Sequence, residues 1–335
     1  MAQPRIGVIG CGIIAERYHL PALTADGAVR DRLVLVDLDS SRRAAMAETF
    51  GVARTLGDYR ELAGLVDGVV IAAPPALHHP MALFFLERGI HVLCEKPLAE
   101  TSAEAREMVC TAEQSGVALM VNQTRRLFPT YGRIRELIAA GTLGDLESIT
   151  YHDGVEFNWP AVSAFHFAPG AKGVLSDTGI HLLDTVCWWL DAEPRLMSSH
   201  NDSDGGPEAA ATVRLRHERC NIEIKVSRLA RLRNRFRIVG SRGTIDAGVE
   251  DWNRITIQFH SGRKQRIKVR PRVESYSDFA RPLIGNFLDV ISNGAAPLIS
   301  GASALPAVEL LEQAYLSAEP YDRPWNEHLE TLHVA

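Results

Sequence analysis

The stretch Arg5-Ile6-Gly7-Val8-Ile9-Gly10-Cys11-Gly12-Ile13-Ile14-Ala15 decides the fold. An apolar run ends on two glycines one residue apart, and a helical segment follows at once. Gly10 and Gly12 let the backbone turn tightly and approach a pyrophosphate, while Ala15 permits close helix–strand packing. The helix N-terminus then offers N–H groups and the positive end of its dipole to phosphates. Small residues also serve ordinary turns, so this spacing alone is weak; its strand–turn–helix setting is what counts. Asp37 closes the next strand 22 residues after Ala15, near the roughly 20 expected of a ribose-binding acid. Its carboxylate would accept from the ribose hydroxyls and repel a 2′-phosphate, which favours NAD. Ser40, Arg42 and Arg43 lie just beyond and leave NADP as the alternative.

Working outward, buried-type strands are expected at 5–10, 32–37, 69–73, 91–95 and 118–122. Helices are expected at 13–25, 40–50, 79–88 and 102–115, with Ser40 or Ser41 as a cap and Gly51, Gly89 and Gly116 as stops. Alternation of helices with near-continuous apolar strands means a parallel sheet covered on both faces. Asp37, Ala73-Pro74-Pro75 and Glu95-Lys96-Pro97 all fall at strand carboxyl ends, the rim where such sheets bind ligands. After residue 122 the pattern changes. Helix 130–140, strand 148–157 and helix 177–190 precede alternating segments at 209–217, 220–227, 235–240, 243–247 and 254–260, then a helix at 302–318. The expectation is an α/β chain: a doubly wound, Rossmann-type parallel sheet in 1–122, and an α+β domain with an open, mostly antiparallel sheet in 123–335.

Bulk properties agree. A chain of 335 residues exceeds what one core usually serves. With 46% apolar residues, 23% charged and a net charge of −5, it fits neither a disordered nor a nucleic-acid-binding protein. Its five cysteines form no metal-type spacing and fit reduced thiols, so no metal is expected. No basic segment followed by an apolar one opens the chain, and no apolar stretch approaches the ~20 residues that span a bilayer, so a cytoplasmic protein is expected. Segment 225–272 is strongly basic, from Lys225 and Arg228 to Arg270 and Arg272. The solvated face or subunit contact of an open sheet is the plainer explanation. An electropositive surface for a phosphorylated or nucleotide-linked substrate is the other.

Three residues carry candidate chemistry. Lys96, partly withdrawn from water at the end of a buried strand, could polarise or protonate a substrate oxygen. A lysine taken at random would more often be a surface partner of Glu95; its place on the rim reverses that. Asp177 and His181, four apart, share a helix face, as do His181, Asp184 and Trp188. Asp177 could be a plain helix cap and His181 a satisfied core residue. An imidazole is also the natural acceptor of an alcohol proton near neutral pH.

On these motifs the chain resembles the Gfo/Idh/MocA oxidoreductases, the family of glucose–fructose oxidoreductase and inositol dehydrogenase. The matching stretches are GVIGCGIIAERYHLPAL (7–23), VVIAAPPALHHPMAL (69–83), GIHVLCEKPLAET (89–101), GVLSDTGIHLLDTVCWWL (173–190) and IVGSRGTID (238–246). The resemblance implies hydride transfer between NAD(P) and a secondary alcohol or ketone of a sugar, sugar derivative (including nucleotide-linked ones) or cyclitol. It assigns Lys96 to the polarising lysine, His181 to the acid/base, and Asp177 to orienting that histidine and the substrate. Cofactor contacts are expected from Gly10, Gly12, Ile13, Ile14, Asp37, Ala73, Pro74, His78, Glu95 and Lys96. Substrate contacts are expected from Lys96, Arg125, Asn158, Trp159, His166, Asp177 and His181. It also implies a cis Lys96–Pro97 peptide and a homodimer or homotetramer formed through the C-terminal sheet. Departures stand at Ala73, Asn122, Thr124 and Lys172, around the substrate pocket. Two other functions fit the same fold: an NAD-dependent glycosidase with transient redox, and a non-catalytic dinucleotide-sensing regulator. The joint presence of Lys96, Asp177 and His181 argues against the regulator.

Overall fold

A computed structural model describes residues 3–156, 171–203, 206–270 and 273–321. Its first sheet contains β1 (Ile6–Ile9), β2 (Leu33–Val36), β3 (Arg54–Leu56), β4 (Gly68–Ile71), β5 (His91–Cys94) and β6 (Leu119–Val121). All pairs are parallel and the order is β3-β2-β1-β4-β5-β6. Every residue of β1, β2 and β4 is buried, as apolar strands covered on both faces must be. The order reverses between β1 and β4, and the carboxyl end of β1 opens there into the glycine turn.

Gly10 has to be glycine twice over. Its φ is +94°, and a Cβ would lie 2.5 Å from the Ala72 carbonyl oxygen. Gly12 differs, because a Cβ there meets nothing within 4 Å. That open space sits at the helix start, where a pyrophosphate would need the room.

The second sheet contains β7 (Leu146–Gly154), β8 (Arg195–Asn201), β9 (Ala210–His217), β10 (Cys220–Ser227), β11 (Arg235–Gly240), β12 (Gly243–Gly248), β13 (Arg254–Phe259), β14 (Lys264–Lys268) and β15 (Ala318–Pro320). The order is β14-β13-β12-β11-β7-β10-β9-β8-β15, antiparallel except for β7–β10 and β8–β15. One face is apolar. Tyr151 of β7 stacks on Trp189 at 6.0 Å, and Trp189 meets Phe236 of β11 edge-on at 5.2 Å. Trp189 Nε1 donates to the Tyr131 carbonyl at 3.0 Å, tying helix Ile180–Leu190 to helix Pro129–Ala139 over this face. The opposite face carries His152, Glu223, Lys225 and Arg214 in one ionic cluster.

The chain then returns to the first sheet. Helix Ala280–Asn293 brings Phe287 and Ile291 against Gly68, and helix Gly301–Leu316 is pinned to helix Ser102–Ser115 by Arg106–Glu309. Helix Ser40–Phe50 is capped by Asp39, not by Ser40 or Ser41, because the Asp39 carboxylate reaches the amides of Ser41 and Arg42. β3, β8, β14, β15 and helix Ala280–Asn293 add to the expected elements. In that helix Pro282 and Gly285 interrupt an otherwise regular apolar series of Leu283, Ile284, Phe287 and Val290.

Gly10→Ala is expected to cost about 2–4 kcal/mol, from left-handed strain plus the clash at Ala72. Denaturant unfolding of both proteins checks it; an unchanged midpoint would contradict the tight turn.

Candidate active site

The glycine turn is locked to the end of β2 from both directions. Asp37 accepts the Cys11 amide at 2.7 Å and the Asp39 amide at 2.9 Å. Arg42 Nε donates to the Cys11 carbonyl at 2.7 Å, and its guanidinium also pairs with Glu16. Arg43 donates to the Asp37 carbonyl. The two arginines beside Asp37 are therefore already engaged. Burial, aided by Asp37, pushes the Cys11 thiol up to about 12, so the turn carries no thiolate charge. The clear space over Gly12, the helix start and Asp37 at the β2 end fit a dinucleotide.

Lys96 follows β5, and the Lys96–Pro97 peptide is cis, as the resemblance implied. Beneath it lies a buried polar knot. Glu95 Oε1 stands 2.7 Å from His19 Nε2 and accepts from Asn122 Nδ2 at 2.7 Å; Thr124 Oγ1 donates to Asn122 Oδ1 at 2.9 Å. Burial would raise the Glu95 carboxyl, but His19 foremost, then Asn122 and Lys96, hold it below its usual range. Asn122 and Thr124, departures in sequence, complete this knot. Glu95 thus supports the lysine from below. His78 is a strut as well, with its ring nitrogens 2.8 Å from the Pro97 carbonyl and 2.9 Å from that of Ala73.

The second domain supplies helical residues Leu175–Gly179 and Ile180–Leu190. Their start is held by Glu208, a buried carboxylate that accepts the amides of Gly173 and Leu175, each at 2.9 Å. Tyr315 donates to Glu208 at 2.7 Å and accepts the Ser176 amide at 3.1 Å. Gly173 is required, since a Cβ would sit 1.9 Å from the Glu208 carbonyl oxygen. Lys172, another departure, donates to the Glu100 carbonyl at 2.7 Å across the domains.

From this helix Asp177 meets Lys96. Lys96 Nζ donates to Asp177 Oδ1 and to the Asp177 carbonyl, both at 2.7 Å. Arg228 Nη2 donates to Oδ2 at 3.0 Å. Burial would raise the Asp177 carboxyl, but Lys96 and then Arg228 hold it well below the usual carboxylate range. The Asp177 carboxylate oxygens are thus directed at two cations, and among the described residues no hydrogen bond joins it to His181. The buried Nδ1 of His181 has no partner among the described residues. Burial first, then the charges of Lys96 and Arg125, push the His181 ring well below its ordinary range, with Asp177 opposing. A neutral imidazole therefore stands beside a fixed ammonium.

Other expected residues divide differently. Arg125 is buried and turned to Tyr151 and Asp153, so it braces β7. Asp184 takes a bidentate grip from Arg126 at 2.7 and 2.8 Å. Asn158, Trp159 and His166 lie outside the described residues. The basic segment has no single role. Arg235 pairs with Asp246, Lys264, Arg266 and Lys268 occupy an exposed edge strand, and Arg228 enters the site. Two site residues escaped sequence reasoning. One is Arg228, whose place at a strand end was the available signal. The other is Tyr276, a part-exposed residue whose hydroxyl is nevertheless withdrawn from water and raised by that burial, with Thr124 opposing and Glu95, Arg125 and Asp177 also felt.

A nucleotide cradle on one domain, facing an ammonium and a neutral imidazole held partly by the other, defines a dinucleotide-dependent oxidoreductase. Residues 4–123 match the model of the oxidoreductase family with an NAD-binding Rossmann fold, and 131–246 match the GFO/IDH/MocA C-terminal domain. The chain belongs to the GFO/IDH/MocA family. An uncharacterised oxidoreductase of Rhizobium meliloti is 30% identical over 249 residues, 72% of this chain and 73% of that protein. D-apiose dehydrogenase of Paraburkholderia graminis is 27% identical over 337 residues, 93% of this chain and 86% of that enzyme. Among solved structures, KijD10, a 3-ketoreductase from Actinomadura kijaniata in complex with NADP and TDP-benzene, superposes with a TM-score of 0.81. It is 21% identical, over 94% of this chain and 98% of that one, a likeness of fold.

Glu208→Gln puts an N–H2 group against backbone donors at the helix start. It is expected to cost about 1.5–3 kcal/mol, the range for a hydrogen bond to a charged group. Thermal unfolding measures the loss, and dinucleotide affinity should stay unchanged.

Proposed function

We propose that the chain is an NAD(P)-dependent dehydrogenase or ketoreductase acting on a secondary alcohol or ketone of a sugar, sugar derivative or cyclitol. One observation carries it. Lys96 from the cofactor rim pairs with Asp177, one helical turn before His181, and His181 is buried, neutral and, among the described residues, unpaired at Nδ1. D-apiose dehydrogenase is named for a sugar and the KijD10 complex holds a thymidine diphosphate derivative, which supports a carbohydrate, free or nucleotide-linked.

The bound nicotinamide supplies the hydride acceptor or donor at the reacting carbon. Gly10, Gly12 and the helix start would hold its phosphates, and Asp37 would hold its ribose. His181 accepts the hydroxyl proton in oxidation and returns it in reduction. Lys96 uses two of its three donors on Asp177, and its third N–H serves the reacting oxygen as negative charge develops there. The uncovered polar face of the second sheet is the proposed contact in a homodimer or homotetramer.

Lys96→Ala and His181→Ala are each expected to lower kcat at least ~100-fold on a substrate found by screening sugars and cyclitols for nicotinamide absorbance change. Oxidation needs neutral His181, and its lowered pKa keeps that form present in more acid solution. The acid limb of kcat/KM should therefore lie below the ~6.5 of an ordinary histidine. Near-normal turnover by both alanine variants would sink the mechanism.

Asp37, with Arg42 and Arg43 already engaged, also supports tighter binding of NAD(H) than NADP(H). Titration of protein fluorescence with both cofactors tests this, and a preference for NADP(H) would refute it.

A further inference from the structure

The Lys96–Asp177 pair followed from the motif; the third member, Arg228, did not. Arg228 stands just past Ser227, at the carboxyl end of β10, and its amide donates to the Ala209 carbonyl at 2.7 Å. Ser227 Oγ accepts the next amide, that of Leu229, at 3.0 Å, so the turn out of β10 is fixed. The Arg228 side chain is only 10% exposed and reaches Asp177 Oδ2 at 3.0 Å. Asp177 is therefore gripped from opposite sides. One cation comes from the rim of the first sheet and the other from the second sheet.

We infer that Arg228 is a positioning residue of the proton-transfer site, holding the second oxygen of Asp177 so that the carboxylate stays turned to Lys96 and away from His181. The inference rests on the acid–base role proposed above for His181. A carboxylate held by one cation alone could swing its free oxygen toward the imidazole and favour the imidazolium. Two cations prevent that in different ways. They fix the carboxylate's rotation, and they offset the negative potential that would otherwise reach the ring. The other charged or titratable groups facing this spot are Arg125 after β6 with its partner Asp153 on β7, Glu95 beneath Lys96, and Tyr276 from the turn Tyr276–Phe279. None of them hydrogen-bonds Asp177 Oδ2 among the described residues.

The test follows the His181 ring by NMR titration of ring-15N-histidine protein saturated with NAD+, with His181→Ala assigning the resonance. Arg228→Gln should raise the midpoint by about 0.5–1 pH unit, less than the 1–3 units of a direct opposite charge. Arg228→Lys, which keeps a cation within reach, should raise it by less. Mere loosening of the site would raise it too, so each variant is repeated with Asp177→Asn. There the effect of removing Arg228 should fall to less than half, since the route runs through the carboxylate. An unmoved midpoint in Arg228→Gln, or an equal shift with and without Asp177, overturns the inference. If Arg228→Gln does not fold, Arg228→Met, which also removes the cation, is read by the same criteria. Failure of the acid–base role is separate: it shows as full turnover by His181→Ala, whatever the titration does.

Discussion

Lys96 and Asp177 join two sheets that share no strand. The ammonium comes from the end of β5 in a parallel sheet, and the carboxylate from a helix lying on a mostly antiparallel one. Because Lys96 also grips the Asp177 main-chain carbonyl, the contact fixes the helix backbone as well as a side chain. Most of what surrounds the pair keeps these two groups in register. Charges withdrawn from water are costly unless paired and hydrogen-bonded, so each needs its own support. Glu95, His19, Asn122 and Thr124 form that support under Lys96. Glu208 and Tyr315 form it under the helix, and Arg228 completes it at the carboxylate.

The supports account for departures that looked like losses. Asn122 and Thr124 close a hydrogen-bond chain on a buried carboxylate that would otherwise have an unused lone pair. Lys172 stands before Gly173, the position where any side chain would collide with Glu208. Its ammonium reaches instead to Glu100 on the other domain and passes 5.3 Å from the Tyr315 ring. The turn, its carboxylate cap and the start of the helix are one hydrogen-bonded unit, with the Asp177 amide donating to the Gly173 carbonyl at 3.1 Å.

The legible parts of the sequence were those written in local pattern. Apolar runs located β1, β2, β4 and β5, and helix Ser102–Ser115 was placed to the residue, with Gly116 as its stop; the Thr101 cap at its start emerged only from the structure. β10 and β11 were equally clear, because alternation with one buried face has no competing interpretation. β14 was not, since an edge strand of Lys264, Gln265, Arg266, Ile267 and Lys268 buries almost nothing and leaves no alternation to read. Asp39 was passed over as a cap because two serines beside it have the same chemistry. In the site, Lys96, Asp177 and His181 were legible because they sit at strand and helix ends in a known order. Their partners were not. Arg228 is 51 residues from Asp177, and Glu208 is 35 from Gly173, distances over which sequence pattern carries no geometry.

The surroundings of Asp177 show what spacing alone leaves undetermined. Residues i and i+4 share a helix face, yet Asp177 lies in the wider turn Leu175–Gly179 that precedes the regular helix. Such a turn alters the phase between its residues and those that follow. The carboxylate then turns outward to the cations at its flanks, and the imidazole of His181 stays inside without it. Chemically the two arrangements differ. An aspartate bonded to the ring would favour its protonated form, whereas one bonded to Lys96 stabilises the ammonium and leaves the ring neutral. The observed division therefore gives the two groups different surroundings: Lys96 is ion-paired with Asp177, and the buried His181 ring has no hydrogen bond to that carboxylate among the described residues.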